Sequence, residues 1–172
     1  FGDMVAAPSY VPPRARFKGG EMRREKALEQ AHFALAFEAP DYAHDDIHAA
    51  QIYASALGGS MSSRLFQEVR EKRGLCYTIF AQAGAYADTG MMTIYAGTSA
   101  GEMGALANIT IDEMKRAAED MSAAEVERAR VQMKAGLLMG LESPSSRAER
   151  LARMLQIWGR VPDLSEVVER ID

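Results

Sequence analysis

Over residues 30–38 the chain alternates by twos: Ala31, Phe33, Leu35 and Phe37 fall on one side, and His32, Ala34, Ala36 and Glu38 on the other. Side chains of a strand point alternately to its two faces, so this stretch predicts a strand with one apolar face. Such a face must be covered by another layer, and the segments that follow supply one. After Pro40 the spacing turns helical over about 42–57, with Ile47, Ala50, Ile52, Ala54 and Leu57 as the apolar stripe. Asp41 is the expected N-cap, and Asp45 and Asp46 suit the first turns, where free N–H groups favour negative charge. Gly58-Gly59 ends that helix. A second helix is expected over 62–73, with Leu65, Phe66 and Val69 facing inward and Gly74 as its stop.

Two further strands are expected near 77–87 and 91–98, joined by the hairpin signal Asp88-Thr89-Gly90. An additional strand is expected earlier, over about 16–25, with Gly19-Gly20 as a turn within or beside it. The remainder reads as helix: 103–119, then a helix to about 141 opened by the capping box Ser122-x-x-Glu125, then 146–158 after Pro144, with Gly159 as its stop. A short helix begins near Leu164. Strands, helices, strands and helices in that order imply an α+β fold, a largely antiparallel sheet with helices on one face.

At 172 residues and 48% hydrophobic, the chain is long enough for one cored domain. Acidic and basic residues are mixed, with a net charge of −4 and no basic patch, which argues against nucleic acid as the main partner. The apolar runs are too short to span a membrane. The one cysteine, Cys76, excludes a disulfide framework within this sequence and fits a reducing compartment. A cytoplasmic location is the expectation, with the periplasm as the alternative. Pro8, Pro12 and Pro13 among small residues make 1–14 a linker from an upstream domain, leaving 15–172 as the folded unit.

Four stretches invite a chemical reading. His44-Asp45-Asp46-Ile47-His48 places two histidines four apart, as in helical zinc motifs. It has no glutamate beside either histidine to activate water, and no third ligand is apparent. Two solvated histidines at the start of a surface helix is the simpler reading, so no metal ligand is assigned. Cys76 lacks any ligand or catalytic pattern around it and reads as a small strand residue. Gly58-Gly59-Ser60 offers a turn able to approach a ligand closely, although a glycine pair between helices usually only turns the chain. Arg70 near a helix end and Tyr77 at the start of the next strand can face one cleft, offering a cationic fork and a phenolic donor. Such groups suit a carbonyl that gains negative charge under attack by water. A surface arginine and a core-edge tyrosine is the alternative.

The stretch around that pair reads Gly58-Gly59-Ser60, Ser63-Arg64-Leu65-Phe66, Glu68, Arg70-Glu71, Gly74-Leu75, Tyr77. It resembles the second-half signature of the inverted-motif zinc peptidases, the pitrilysin and mitochondrial processing-peptidase family. Tyr86-x-Asp88-Thr89-Gly90, Glu127-x-Ala129, Lys134, Leu137-Leu138, Leu141-Glu142-Ser143, Glu149-x-Leu151-x-Arg153, Trp158-Gly159-Arg160 and Ile171-Asp172 extend the match over nearly the whole chain.

The resemblance implies two homologous α+β halves per subunit and two subunits around a chamber. Zinc would belong to the first half, held by a His-x-x-Glu-His motif and a later glutamate that this sequence lacks. Zinc is therefore expected in the full-length protein or the facing half, and this segment alone should not cleave peptides. By resemblance, Arg70 would hold substrate backbone, Tyr77 would stabilise the tetrahedral oxyanion, and Gly58, Gly59 and Ser60 would line the substrate chamber. The partners implied are an extended or unfolded peptide, a homologous N-terminal half and a second subunit. A bacterial-type metalloendopeptidase is the reading, with a zinc-free partner subunit of the same family as the alternative. Family second halves continue into a last helix and strand, so the sequence is expected to stop before them.

Overall fold

In a computed structural model, the structure describes Asp3, Tyr10 and residues 13–172. Most of the linker expected over 1–14, including Pro8 and Pro12, lies outside the described residues. The elements run β1 (Ala31–Ala39), α1 (Ile47–Gly58), a π-helical turn (Phe66–Glu71), β2 (Cys76–Ala85), β3 (Gly90–Thr98), α2 (Met103–Asp120), α3 (Ala123–Gly140), α4 (Pro144–Trp158) and α5 (Leu164–Ile171).

The three strands form one antiparallel sheet in the order β1-β3-β2, so β3 is central. The expected alternation sets the faces. Phe33 and Leu35 of β1, Ile79 and Ala81 of β2, and Met92, Ile94 and Ala96 of β3 turn toward the helices and join one core with Ala54, Leu57, Leu65, Val69 and Leu106. Leu57, Leu65, Val69, Ile94 and Leu106 are fully buried. The opposite face carries His32, Phe80, Gln82 and Tyr95. There the Phe80 and Tyr95 rings lie 5.3 Å apart, and His32 Nδ1 shares a 2.7 Å hydrogen bond with the Tyr95 hydroxyl.

Expectation and structure part in three places. Residues 13–28 form no strand and are exposed. Arg16, Lys18, Glu21, Arg23, Arg24 and Glu25 give that stretch no apolar face, so nothing drives it onto the edge of β1. Near its start it is tied elsewhere: the Ala15 N–H donates to an Asp88 carboxylate oxygen at 2.6 Å in the β2–β3 turn. Helix α1 starts at Ile47 rather than at residue 42. The Asp41 carboxylate does accept from the Ala43 N–H at 3.0 Å, but this closes a local turn instead of capping a helix. The segment expected as an ordinary second helix is wound as a π-turn over Phe66–Glu71.

One glycine governs how α1 meets the sheet. A Cβ on Gly58 would fall 2.5 Å from the Ala81 backbone nitrogen and 2.7 Å from Ala81 Cβ. Backbone cannot swing aside, so α1 and β2 would have to separate. Gly58→Ala is expected to destabilise the domain by about 2 kcal/mol, the scale of overpacking a dense interior. Urea unfolding measures it, and an unchanged midpoint would contradict so close an approach.

Candidate active-site face

The segment from Ser60 to Tyr77 is built on a fixed base. Ser63 is buried, and its hydroxyl donates to the Ser60 carbonyl at 2.5 Å. Arg64 follows, with its side chain only 12% exposed. Its guanidinium grips Glu125 with two bonds, Nε to Oε1 at 2.5 Å and Nη2 to Oε2 at 2.9 Å. It also reaches the Asp120 carboxylate and, at 3.0 Å, the Asp120 carbonyl. Glu125 is itself the capping-box residue of α3, accepting from the Ser122 N–H at 2.9 Å and hydroxyl at 2.7 Å. Arg64 thus ties this segment to the end of α2 and the start of α3. The Arg64 contact holds the Glu125 carboxyl down at about 2, with the Ser122 bonds adding to the effect. The same partners push the Arg64 guanidinium upward.

The π-turn begins two residues after Arg64. Leu65 and Val69 enter the core as expected, but Phe66 does not. It is only half-buried, and its ring lies beneath the Arg70 guanidinium, with Cζ 4.5 Å from the ring centroid. Glu68 takes two other bases, Lys72 and Arg73, the latter at 2.7 Å. Those bonds, Lys72's first, hold its carboxyl below the usual range. Arg70 is left with Glu71 at 3.7 Å, too far for a hydrogen bond. Gly74, at φ +62°, ends the turn: its N–H donates to the Arg70 carbonyl and the Leu75 N–H to the Val69 carbonyl, each at 3.0 Å.

Strand β2 then opens with an irregularity. Cys76 pairs with Thr98, but Thr78 pairs with Gly97, so Tyr77 is an extra residue in the ladder. Bulges of this kind re-aim side chains. Cys76 stays buried, its thiol pushed up by that burial. Tyr77 is 75% exposed, and Arg70 Cζ lies 5.1 Å from its ring centroid. The two residues singled out from the sequence therefore meet across the helix-to-strand junction. Among the described residues neither the Arg70 guanidinium nor the Tyr77 hydroxyl makes a hydrogen bond, so both offer open donors. The turn preceding them is mixed: Gly58 is buried against β2, Gly59 is exposed and Ser60 is half-buried.

His44 and His48 make hydrogen bonds to different neighbours. His44 lies in the turn before α1, accepting at Nδ1 from the Asp46 N–H at 3.1 Å. His48, on α1, is half-buried beside Gln51, and burial lowers its pKa. Among the described residues no group of three or more histidine, cysteine or acidic side chains is placed to hold a metal ion. The residues described here do not fit a zinc site. No helix of the described residues is long and apolar enough to cross a membrane.

Comparison with known proteins identifies the family. The sequence pattern of the family described as "Peptidase M16 inactive domain" matches residues 1–133. The chain is 35% identical over 162 residues to an uncharacterized zinc protease of Bacillus subtilis, covering 92% of this chain and 39% of that protein. It is 36% identical over 158 residues to an uncharacterized zinc protease of Rickettsia bellii, covering 91% and 38%. It thus spans less than two-fifths of the length of these curated relatives. A Helicobacter pylori protease shares the fold with a TM-score of 0.75 at 22% identity, over 86% of this chain and 36% of that one. A peptidase M16 inactive domain from Pseudomonas fluorescens does so with a TM-score of 0.68 at 23% identity, over 83% and 34%. These structures share its fold, and on its sequence the chain belongs to the M16 peptidase family, as its inactive C-terminal domain.

Proposed function

We propose that this domain supplies the substrate-binding and oxyanion-stabilising groups of a zinc metalloendopeptidase whose metal lies in another part of the full-length protein. The observation that carries the reading is the pair of open donors, Arg70 and Tyr77, brought together by a π-turn and a bulge. Irregular turns of both kinds concentrate at functional sites.

Arg70 presents a rigid planar fork of N–H groups, suited to the backbone carbonyls of an extended peptide. Tyr77 presents one phenolic O–H. As water adds to a scissile carbonyl, the oxygen gains negative charge, and a donor already in place stabilises it without reorganising. In this reading Gly59 and Ser60 would line the substrate chamber, and Gly58, buried against β2, holds their turn close to the sheet. The partners of this reading are an extended peptide, a homologous N-terminal half and a second subunit. The N-terminal half would hold the zinc, which would supply the activation of water.

The test uses the full-length protein. It is expected to carry zinc on elemental analysis and to cleave an unstructured peptide, with activity lost on chelation. A full-length protein that is metal-free and inactive would overturn the enzyme reading in favour of a zinc-free partner subunit.

A further inference from the structure

We propose that Phe66 is a positioning residue for Arg70, a ring that holds the guanidinium by its face so that its N–H edges stay free for peptide. The inference rests on the reading of Arg70 as a substrate contact. Arginine has a long stem with much rotamer freedom, which must be restricted if its donors are to be ready for a ligand. A carboxylate would fix it but would occupy the donors that substrate needs. Here the nearest acids do not fix it. Glu68 is committed to Lys72 and Arg73, and Glu71 stands off at 3.7 Å. The cation lies instead between two rings, 4.5 Å from the centroid of Phe66 and 5.1 Å from that of Tyr77. Both distances fall within the range of cation–π attraction.

The placement of Phe66 follows from the π-turn. Phe66 and Arg70, both half-buried, stand four residues apart on it, while Leu65 just before it and Val69 within it face the core and Gln67 and Glu71 face out. Phe66 is not part of the buried apolar core. An apolar residue left half-open beside a cation whose ion pair with Glu71 is too long for a hydrogen bond is accounted for by that cation.

The experiment is a double-substitution cycle in the full-length protein. It reads kcat/KM on an unstructured peptide and, with metal removed by chelator, the Kd of a fluorescent version of that peptide by anisotropy. Phe66→Leu is expected to weaken both by about tenfold, the scale of a partly desolvated cation–π contact. Phe66→Tyr, which keeps the ring, is expected to restore both to within about twofold of wild type. In an Arg70→Ala background, Phe66→Leu is expected to cause no further loss. If Arg70→Ala alone changes neither quantity, the substrate role of Arg70 fails and this inference fails with it. If Arg70→Ala is damaging while Phe66→Leu is silent, only the positioning role is overturned. A Phe66→Leu loss that persists undiminished without Arg70 also overturns it, since it would reflect packing alone.

Discussion

Tyr77→Phe in the full-length protein is expected to lower kcat by about 10²-fold, the cost of losing one donor to a developing oxyanion. The change removes a single hydroxyl. The ring stays, so the 5.1 Å contact with Arg70 stays with it, and substrate affinity set by Arg70 should hold. Tyr77 is 75% exposed and its hydroxyl bonds to nothing among the described residues, so the fold loses nothing. A fall in kcat with KM nearly constant is therefore the expected pattern, because the interaction forms only in the transition state. Steady-state kinetics on an unstructured peptide, beside a thermal melt, makes the measurement. Unchanged turnover would remove Tyr77 from the chemistry.

The second large effect lies on stability. Arg64→Met keeps the buried stem but removes the charge, leaving Glu125 without its main partner. The cost is expected to be about 3 kcal/mol, that of breaking a largely buried ion pair. The pH dependence follows from Glu125, whose carboxyl lies at about 2 in the folded protein against the usual 4.5. A carboxyl lowered by folding stabilises fully above its unfolded value, and that contribution fades as pH falls toward the folded one. The gap in stability between wild type and Arg64→Met should thus be widest above about pH 5 and narrow toward pH 2. Urea unfolding at stepped pH reads it. A gap constant across that range would mean that Glu125 is not held by Arg64.

What could be read from the sequence was what depends on neighbours along the chain. The alternation of Phe33 and Leu35 against His32 and Ala34 gave β1 its faces, and Ser122-x-x-Glu125 gave α3 its start, because both signals are local. The failures have physical causes too. Residues 16–25 were expected as a strand with the Gly19-Gly20 turn within or beside it, while their charges left no face to bury. Phe66 was expected in the core because it follows Leu65 and precedes Val69 at helical spacing. The π-turn alters that geometry, and nothing local marks a π-turn. Arg64 is anchored by residues 56 and 61 positions away, so its role depends on how α2 and α3 pack. Arg70 and Tyr77 were legible as a pair of types at a junction. The bulge that turns Tyr77 outward became visible only with the register of β3.

The burial of Cys76 gives this domain a built-in gauge. Its thiol is the only one in the sequence, sits on an edge strand one residue before Tyr77, and is 8% exposed. Burial keeps it protonated and slow to react. A maleimide added to the isolated sequence would label it only when the end of β2 opens, so labelling kinetics would time local opening beside the site. Because the reporter is native, the same measurement can rank every substitution named above without adding a probe.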